Sequence, residues 1–188
     1  MKREEVPLDP RATRPSQPSG GPAFNRTSAQ ATPPPPTQSP SDRPADVVAV
    51  AIIRHAEQPQ LLAAQRAYPS SLKGKWELPG GKVEPGEDYQ QALAREIQEE
   101  LACEIRLSQQ VLNPDREDGA WTILQGRRMF VWLGTALDEP QAGADHLAVK
   151  WCAESDYRDL DWLAPNYPIV QAVWRLIAET TPSQFGDI

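Results

Sequence analysis

The stretch that decides the reading is Gly81-Lys82-Val83-Glu84-Pro85-Gly86-Glu87, followed after seven residues by Arg95-Glu96-Ile97-Gln98-Glu99-Glu100. A loop rich in Gly and Pro leads into residues 88–102, which contain neither. Leu93, Ile97 and Leu101 recur there at every fourth position, the apolar stripe of an amphipathic helix. On that helix Glu96, Glu99 and Glu100 stand at i, i+3 and i+4 and share one face. Like charges so placed repel each other, and a bound divalent cation removes the repulsion. Carboxylates and backbone carbonyls suit Mg²⁺ or Mn²⁺, and Mg²⁺ commonly brings substrate phosphates with it. Arg95 is placed to pair with a neighbouring acid and to hold a ligating carboxylate in position. Clustered glutamates alone usually mark a solvated helix face. The full pattern is more specific: Gly81, Glu87, Arg95, Glu96, Glu99 and Glu100 would co-occur by chance in roughly one such chain in 10⁵ at average residue frequencies.

Working outward, Val47-Val48-Ala49-Val50-Ala51-Ile52-Ile53 is rich in β-branched residues and predicts a buried strand. Residues 61–65 predict a second strand, 68–75 a loop, and Trp76-Glu77-Leu78-Pro79-Gly80-Gly81 a strand end running into a turn. Beyond the helix, residues 103–112 predict a strand and 113–119 a polar loop. Two further strands are expected over 120–124 and 129–136, with a turn at Gln125-Gly126, then a short strand over 149–151. Residues 170–180 predict a last helix, apolar at Val170, Val173, Trp174 and Ile177. Internal repeats are absent from the sequence. Strands before and after two helices predict an α/β fold, an α/β/α sandwich with a mixed sheet.

Composition sets the boundaries. Of 20 prolines in 188 residues, 11 lie in residues 1–45, together with a single aromatic, Phe24. Such a segment cannot bury enough apolar surface to offset its ordering entropy. The expected organisation is a disordered Pro-rich tail over 1–45 and a folded domain over 46–184. Pro33 to Pro36 favour a short polyproline II stretch, a form that Pro-recognising domains bind, although nothing in it selects a partner. The net charge of −7 is unevenly spread. The tail has six basic and four acidic residues, and the remainder has 13 basic and 22 acidic ones. An acidic domain without a basic footprint excludes stable nucleic-acid binding, so phosphates handled here would need a metal. Cys103 and Cys152 make neither a disulfide framework nor a zinc site and read as small core residues. No apolar run approaches the roughly 20 residues of a membrane span, and no apolar h-region begins the chain. The expected location is the reducing cytoplasm.

The central stretch resembles the signature of the Nudix hydrolase family, G-x5-E-x7-R-E-U-x-E-E-x-G-U with U aliphatic, at Gly81, Glu87, Arg95, Glu96, Ile97, Glu99 and Glu100. Two positions depart: Ala102 stands where the family has Gly, and Cys103 where it has an aliphatic residue. Both lie at the helix exit, and neither is a ligand position. The resemblance spans about residues 46–180 and is strongest to the MutT-like, 8-oxo-dGTP diphosphatase subgroup, whose approach to the box Trp76 to Lys82 resembles. It implies a hydrolase that splits a nucleoside triphosphate into nucleoside monophosphate and pyrophosphate. It also implies Mg²⁺, with Mn²⁺ as a substitute, held by Glu96, Glu99, Glu100 and the Gly80 carbonyl. Arg95 supports them; Glu96 is expected near the attacking water and Glu100 as principal ligand. Asp145, six residues before Trp151, falls where the family often has a further metal-binding Glu, with an arm one methylene shorter. Arg66, fifteen residues before Gly81, matches an arginine that faces the substrate. Asn166, two residues before Pro168, matches an Asn that contacts the base, and Leu78 stands where an aromatic would stack better on a purine.

Asn166 carries the specificity expectation. Oxidation of guanine at C8 turns N7 from an acceptor into an N–H donor. A side-chain amide can donate to O6 and accept from N7–H, a pairing that normal guanine does not complete. The leading expectation is sanitation of oxidised nucleotides such as 8-oxo-dGTP, a DNA-repair role. The alternatives are a pyrimidine nucleotide hydrolase acting on CTP, dCTP or 5-methyl-dCTP, and a nucleotide-binding module without turnover. Such modules usually lose the box glutamates, all of which are present here. On residue type alone, Asn166 could equally cap the last helix or shape a turn before Pro168. His146 beside Asp145 could orient it, and Arg127-Arg128 could begin a solvated strand or help bind phosphate.

Overall fold

The computed structural model describes residues 44–179. Apart from Pro44 and Ala45, the expected tail over 1–45 lies outside the described residues, as does the end of the expected domain beyond 179. Eight strands form one mixed sheet: β1 Val47–His55, β2 Pro59–Arg66, β3 Trp76–Glu77, β4 Gly80–Lys82, β5 Ile105–Gln110, β6 Trp121–Thr122, β7 Arg128–Ala136 and β8 His146–Cys152. Two α-helices, α1 Tyr89–Leu101 and α2 Asn166–Glu179, complete the fold of the described residues.

Strand β1 is the branch point. It pairs parallel with β7 along Val47 to Ile52. Its other edge is shared antiparallel by β4, opposite Val47 to Ala49, and β2, opposite Ile53 to His55. Strands β3 and β8 extend the sheet from β2, and β5 and β6 extend it from β7. Both faces of β1 are buried, which explains its unbroken apolar sequence. Its alternate residues divide between two cores: Ala49, Ala51 and Ile53 join Ile169, Val170, Val173 and Ile177 of α2. Val48, Val50 and Ile52 join Ala92, Leu93, Ile97 and Leu101 of α1. Each fully buried Leu or Ile of α1 contributes about 1.5–3 kcal/mol. The result is the expected α/β/α sandwich.

Several boundaries moved: β1 runs on to His55, β2 widens to Pro59–Arg66 and β5 narrows to Ile105–Gln110. Helix α2 begins at Asn166 rather than 170, because Pro168 in its first turn has no N–H that the helix needs there. The expected strand over 120–124 is only Trp121–Thr122, since a 3₁₀ turn over Leu124–Gly126 puts Gln125 at φ 63°. The short strand expected over 149–151 extends to 146–152 through its pairing with β2. Cys103 and Cys152 are buried and unpaired, and burial pushes both thiols up to about 11. Among the described residues no helix is long and apolar enough to cross a membrane.

Helix α1 is framed by its caps. Asp88 accepts from the Gln91 N–H and Gln91 reaches back to the Asp88 N–H, a capping box that fixes the start. Ala102 ends the helix in the left-handed region at φ 50°, ψ 36°. A Cβ is disfavoured there and glycine is at ease. Ala102→Gly is therefore expected to raise stability by about 1 kcal/mol, seen as a higher denaturant midpoint at unchanged slope.

Candidate active site

The N-terminal end of β1, the β3–β4 turn and α1 together build the site. Gly80 sits at φ 143°, and a Cβ on it would lie 2.2 Å from the Val48 carbonyl oxygen. A Cβ on Gly81 would lie 2.2 Å from the Glu96 carboxyl carbon. The turn can therefore lie against β1 on one side and the α1 carboxylates on the other. Glu100 accepts from the Gly80 N–H at 3.0 Å. Burial pushes its carboxyl up to about 7, with Glu77 and Glu96 adding repulsion and His146 and the Gly80 N–H opposing the rise.

Arg95 organises the remaining acids. Its Nε and Nη2 donate to the two oxygens of Glu87 at 2.7 and 3.0 Å, and Nη2 also donates to the Lys82 carbonyl at 3.0 Å. Its Nη1 lies 3.0 Å from Glu96 and 3.4 Å from Glu99. The Arg95 guanidinium, with the Glu84 backbone bond, holds Glu87 down to about 2. Among the described residues no three Asp, Glu, His or Cys side chains are gathered so as to enclose a metal as they stand. The guanidinium engages Glu96 and Glu99, while Glu100 turns to Gly80. The donors nevertheless suit a hard cation: they are carboxylate oxygens on one helix face, and a positive neighbour would favour the ionised form of buried Glu100.

The other expected residues occupy distinct places. Arg66 donates through Nη1 to both Glu77 oxygens at 2.6 Å and through Nε to the Tyr68 carbonyl at 3.0 Å. Asp145 accepts from the Tyr68 hydroxyl, and its loop is tied to α1 by the Gly143 N–H on the Glu100 carbonyl at 2.8 Å. Asn166 is 3% exposed, and its Oδ1 accepts from the Leu78 N–H at 2.8 Å. That role is neither a helix cap nor a turn before Pro168. The Leu78 side chain is 2% exposed and packs in the α2 core, so its backbone N–H is the group it presents to Asn166. Arg128 is held by Asp46 at 2.9 and 2.5 Å.

Sequence reasoning missed Glu77 and gave His146 a peripheral role. Glu77 is buried between Arg66 and His146, whose Nε2 lies 3.3 Å from it. The His146 side chain is 1% exposed and its Nδ1 has no partner. The signal available was position: Glu77 lies between Trp76 and Leu78 in the segment leading to the glycine turn, and pairing of β2 with β3 and β8 brings the three residues together.

Comparison with known proteins places this geometry. A family model for the NUDIX domain matches residues 44–173. The 8-oxo-dGTP diphosphatase of Escherichia coli is 44% identical over 134 residues, 69% of this chain and 96% of that protein. The CTP pyrophosphohydrolase of Escherichia coli is 32% identical over 133 residues, 71% of this chain and 93% of that protein. The solution structure of the Escherichia coli ORF135 protein superposes with a TM-score of 0.59 at 30% identity, covering 78% of this chain and 99% of the other.

If Glu100 holds a cation, its burial would couple that binding to pH. Its folded-state value near 7 lies above the ordinary 4.5, so the metal-free fold loses stability as pH rises from the lower value through the upper one. A cation binds the ionised carboxylate and opposes that loss. The increase in Tm on adding Mg²⁺ is expected to be small at about pH 5.5 and larger at about pH 8 in thermal-shift measurements, and Glu100→Gln should flatten the difference.

Proposed function

From the premise that this chain belongs to the Nudix hydrolase family and cleaves phosphoric anhydrides, we propose that it is a divalent-cation-dependent nucleoside triphosphate pyrophosphohydrolase acting on oxidised purine nucleotides such as 8-oxo-dGTP. The observation that carries the reading is the intact set Arg95, Glu96, Glu99 and Glu100 packed against the Gly80-Gly81 turn, with the buried amide of Asn166 anchored at Leu78. The diphosphatase relative supports the same substrate class.

Water attacks phosphorus, the bridging P–O bond breaks, and nucleoside monophosphate and pyrophosphate leave. The barrier is mainly one of positioning and charge stabilisation. A bound Mg²⁺ or Mn²⁺ would neutralise phosphate oxygens, held by Glu96, Glu99 and Glu100 with the Gly80 carbonyl and Asp145. Glu96, close under Gly81, is the assigned acceptor of the water proton, and Glu100 the principal ligand. Arg95 keeps the Glu87 carboxylate ionised and holds Glu96 and Glu99 on the same rim. Arg66 orients the substrate side of β2.

At the base, the Asn166 oxygen already accepts from Leu78, which leaves its NH₂ to donate and one lone pair to accept. Donation fits guanine O6, and the spare lone pair fits N7–H of the oxidised base. The same donor fits the acceptors of cytosine, and the 32% identical CTP pyrophosphohydrolase makes a cytosine nucleotide the second reading.

The test is pyrophosphate release with Mg²⁺ across 8-oxo-dGTP, dGTP, CTP, dCTP and 5-methyl-dCTP, ranked by kcat/KM. The expected result is a strong preference for 8-oxo-dGTP over dGTP; a cytosine nucleotide in first place discards the purine reading and leaves the chemistry intact. Glu96→Gln and Glu100→Gln are each expected to lower kcat by about 10² or more. Asn166→Asp, which keeps the acceptor for Leu78 and removes the donor, should shrink the preference by about tenfold.

A further inference from the structure

We propose that Tyr68 is a positioning residue for Asp145, holding that carboxylate at the edge of the metal-binding site through its phenolic hydroxyl; the inference rests on the metal-dependent hydrolase reading above. Tyr68 lies just past the end of β2; the residue is 51% exposed and its hydroxyl donates to Asp145 Oδ1. Neither residue is near the other in sequence, and the fold brings them together by fixed backbone links. The Ala67 N–H donates to the Asp145 carbonyl at 2.9 Å. Arg66 pairs across the sheet with His146, and its guanidinium holds the Tyr68 carbonyl at 3.0 Å while anchored on Glu77. On the other side, Gly143 binds the Glu100 carbonyl at 2.8 Å, and a Cβ there would lie 2.7 Å from that oxygen. The backbone leading into Asp145 is thus tied to the ligand-bearing end of α1 and to the end of β2.

What remains free is rotation of the Asp145 side chain. An Asp arm is one methylene shorter than Glu and has less reach, so a productive placement depends more on orientation. A hydroxyl on Oδ1 fixes the carboxylate plane and leaves Oδ2 for a cation, the arrangement by which hydrogen-bonded neighbours orient metal-ligating carboxylates. Being solvent-exposed, the Tyr68 bond contributes little to folding, so its removal is a clean probe of positioning.

The experiment is calorimetric titration of Mn²⁺, without nucleotide, into the full chain and into Tyr68→Phe, Asp145→Asn and the double variant, with the metal-free Tm of each. Tyr68→Phe is expected to bind Mn²⁺ about tenfold more weakly at unchanged metal-free Tm. Asp145→Asn should lose at least as much, and the double variant no more than Asp145→Asn alone. Affinity of Tyr68→Phe within about twofold of the parent, multiplication of the two losses, or parent-like affinity in Asp145→Asn would each overturn the proposal. Wild-type turnover of the nucleotide panel tests the hydrolase reading separately, since Mn²⁺ affinities without nucleotide do not depend on which base is preferred.

Discussion

The close approach of the Gly80-Gly81 turn to its two neighbours is the constraint on which the rest of the site depends. One glycine leaves space for the Val48 carbonyl of β1, and the other for the Glu96 carboxylate of α1. A side chain on Gly80 would push the turn off the β1 backbone, and one on Gly81 would displace the Glu96 carboxylate from its place beside the turn. Gly143 repeats the device at the far end of α1, where its N–H meets the Glu100 carbonyl. Missing side chains thus let the turn approach β1 through Gly80 and α1 through Gly81, and let the loop at Gly143 approach the far end of α1. The carboxylates inherit their positions from backbone packing, which is stiffer than any arrangement of long side chains.

That packing gives neighbouring acids opposite character. Glu87 is fully engaged by Arg95 and stays ionised far below neutrality, whereas Glu100 is buried and resists ionising until about pH 7. The two shifts have different physical origins, a hydrogen-bonded guanidinium in one case and desolvation in the other. Arg95 supplies the rim with its cation, and the floor has only the Gly80 N–H and the field of His146. A divalent ion would supply the charge that the floor lacks, in a domain whose acidic excess would otherwise repel phosphates.

How far this was legible in the sequence follows from the range of each interaction. Helix α1 and strand β1 could be read directly, because a four-residue apolar repeat and an unbroken β-branched run are local signals. The carboxylate face followed from helical spacing alone. The start of α2 did not: Pro168 looks like a breaker until it is placed in a first turn. Asp88 and Gln91 did carry a capping-box signal that marks the start of α1. The Arg66–Glu77–His146 cluster was invisible, since its members come from three strands whose register no local pattern specifies. Arg66 therefore read only as an arginine facing the substrate, without the Glu77 carboxylate and Tyr68 carbonyl that engage its guanidinium.

Asn166 joins the two halves of the chemistry. The segment before α2 runs beside β3, with the Leu163 N–H on the Trp76 carbonyl at 2.8 Å and the Trp76 N–H on the Asp161 carbonyl at 3.0 Å. This delivers the Asn166 oxygen to the Leu78 N–H. Only Pro79 separates Leu78 from Gly80, and the Pro79 carbonyl is itself fixed by the Val50 N–H at 3.0 Å. The amide assigned to the base therefore also braces the strand that delivers the Gly80 N–H to Glu100. Under the proposed base contact, only two peptide units would separate the amide that meets the base from the backbone N–H that meets Glu100. Truncating Asn166 would remove the Leu78 acceptor together with the proposed base contact, whereas a variant that keeps the acceptor changes the base contact alone.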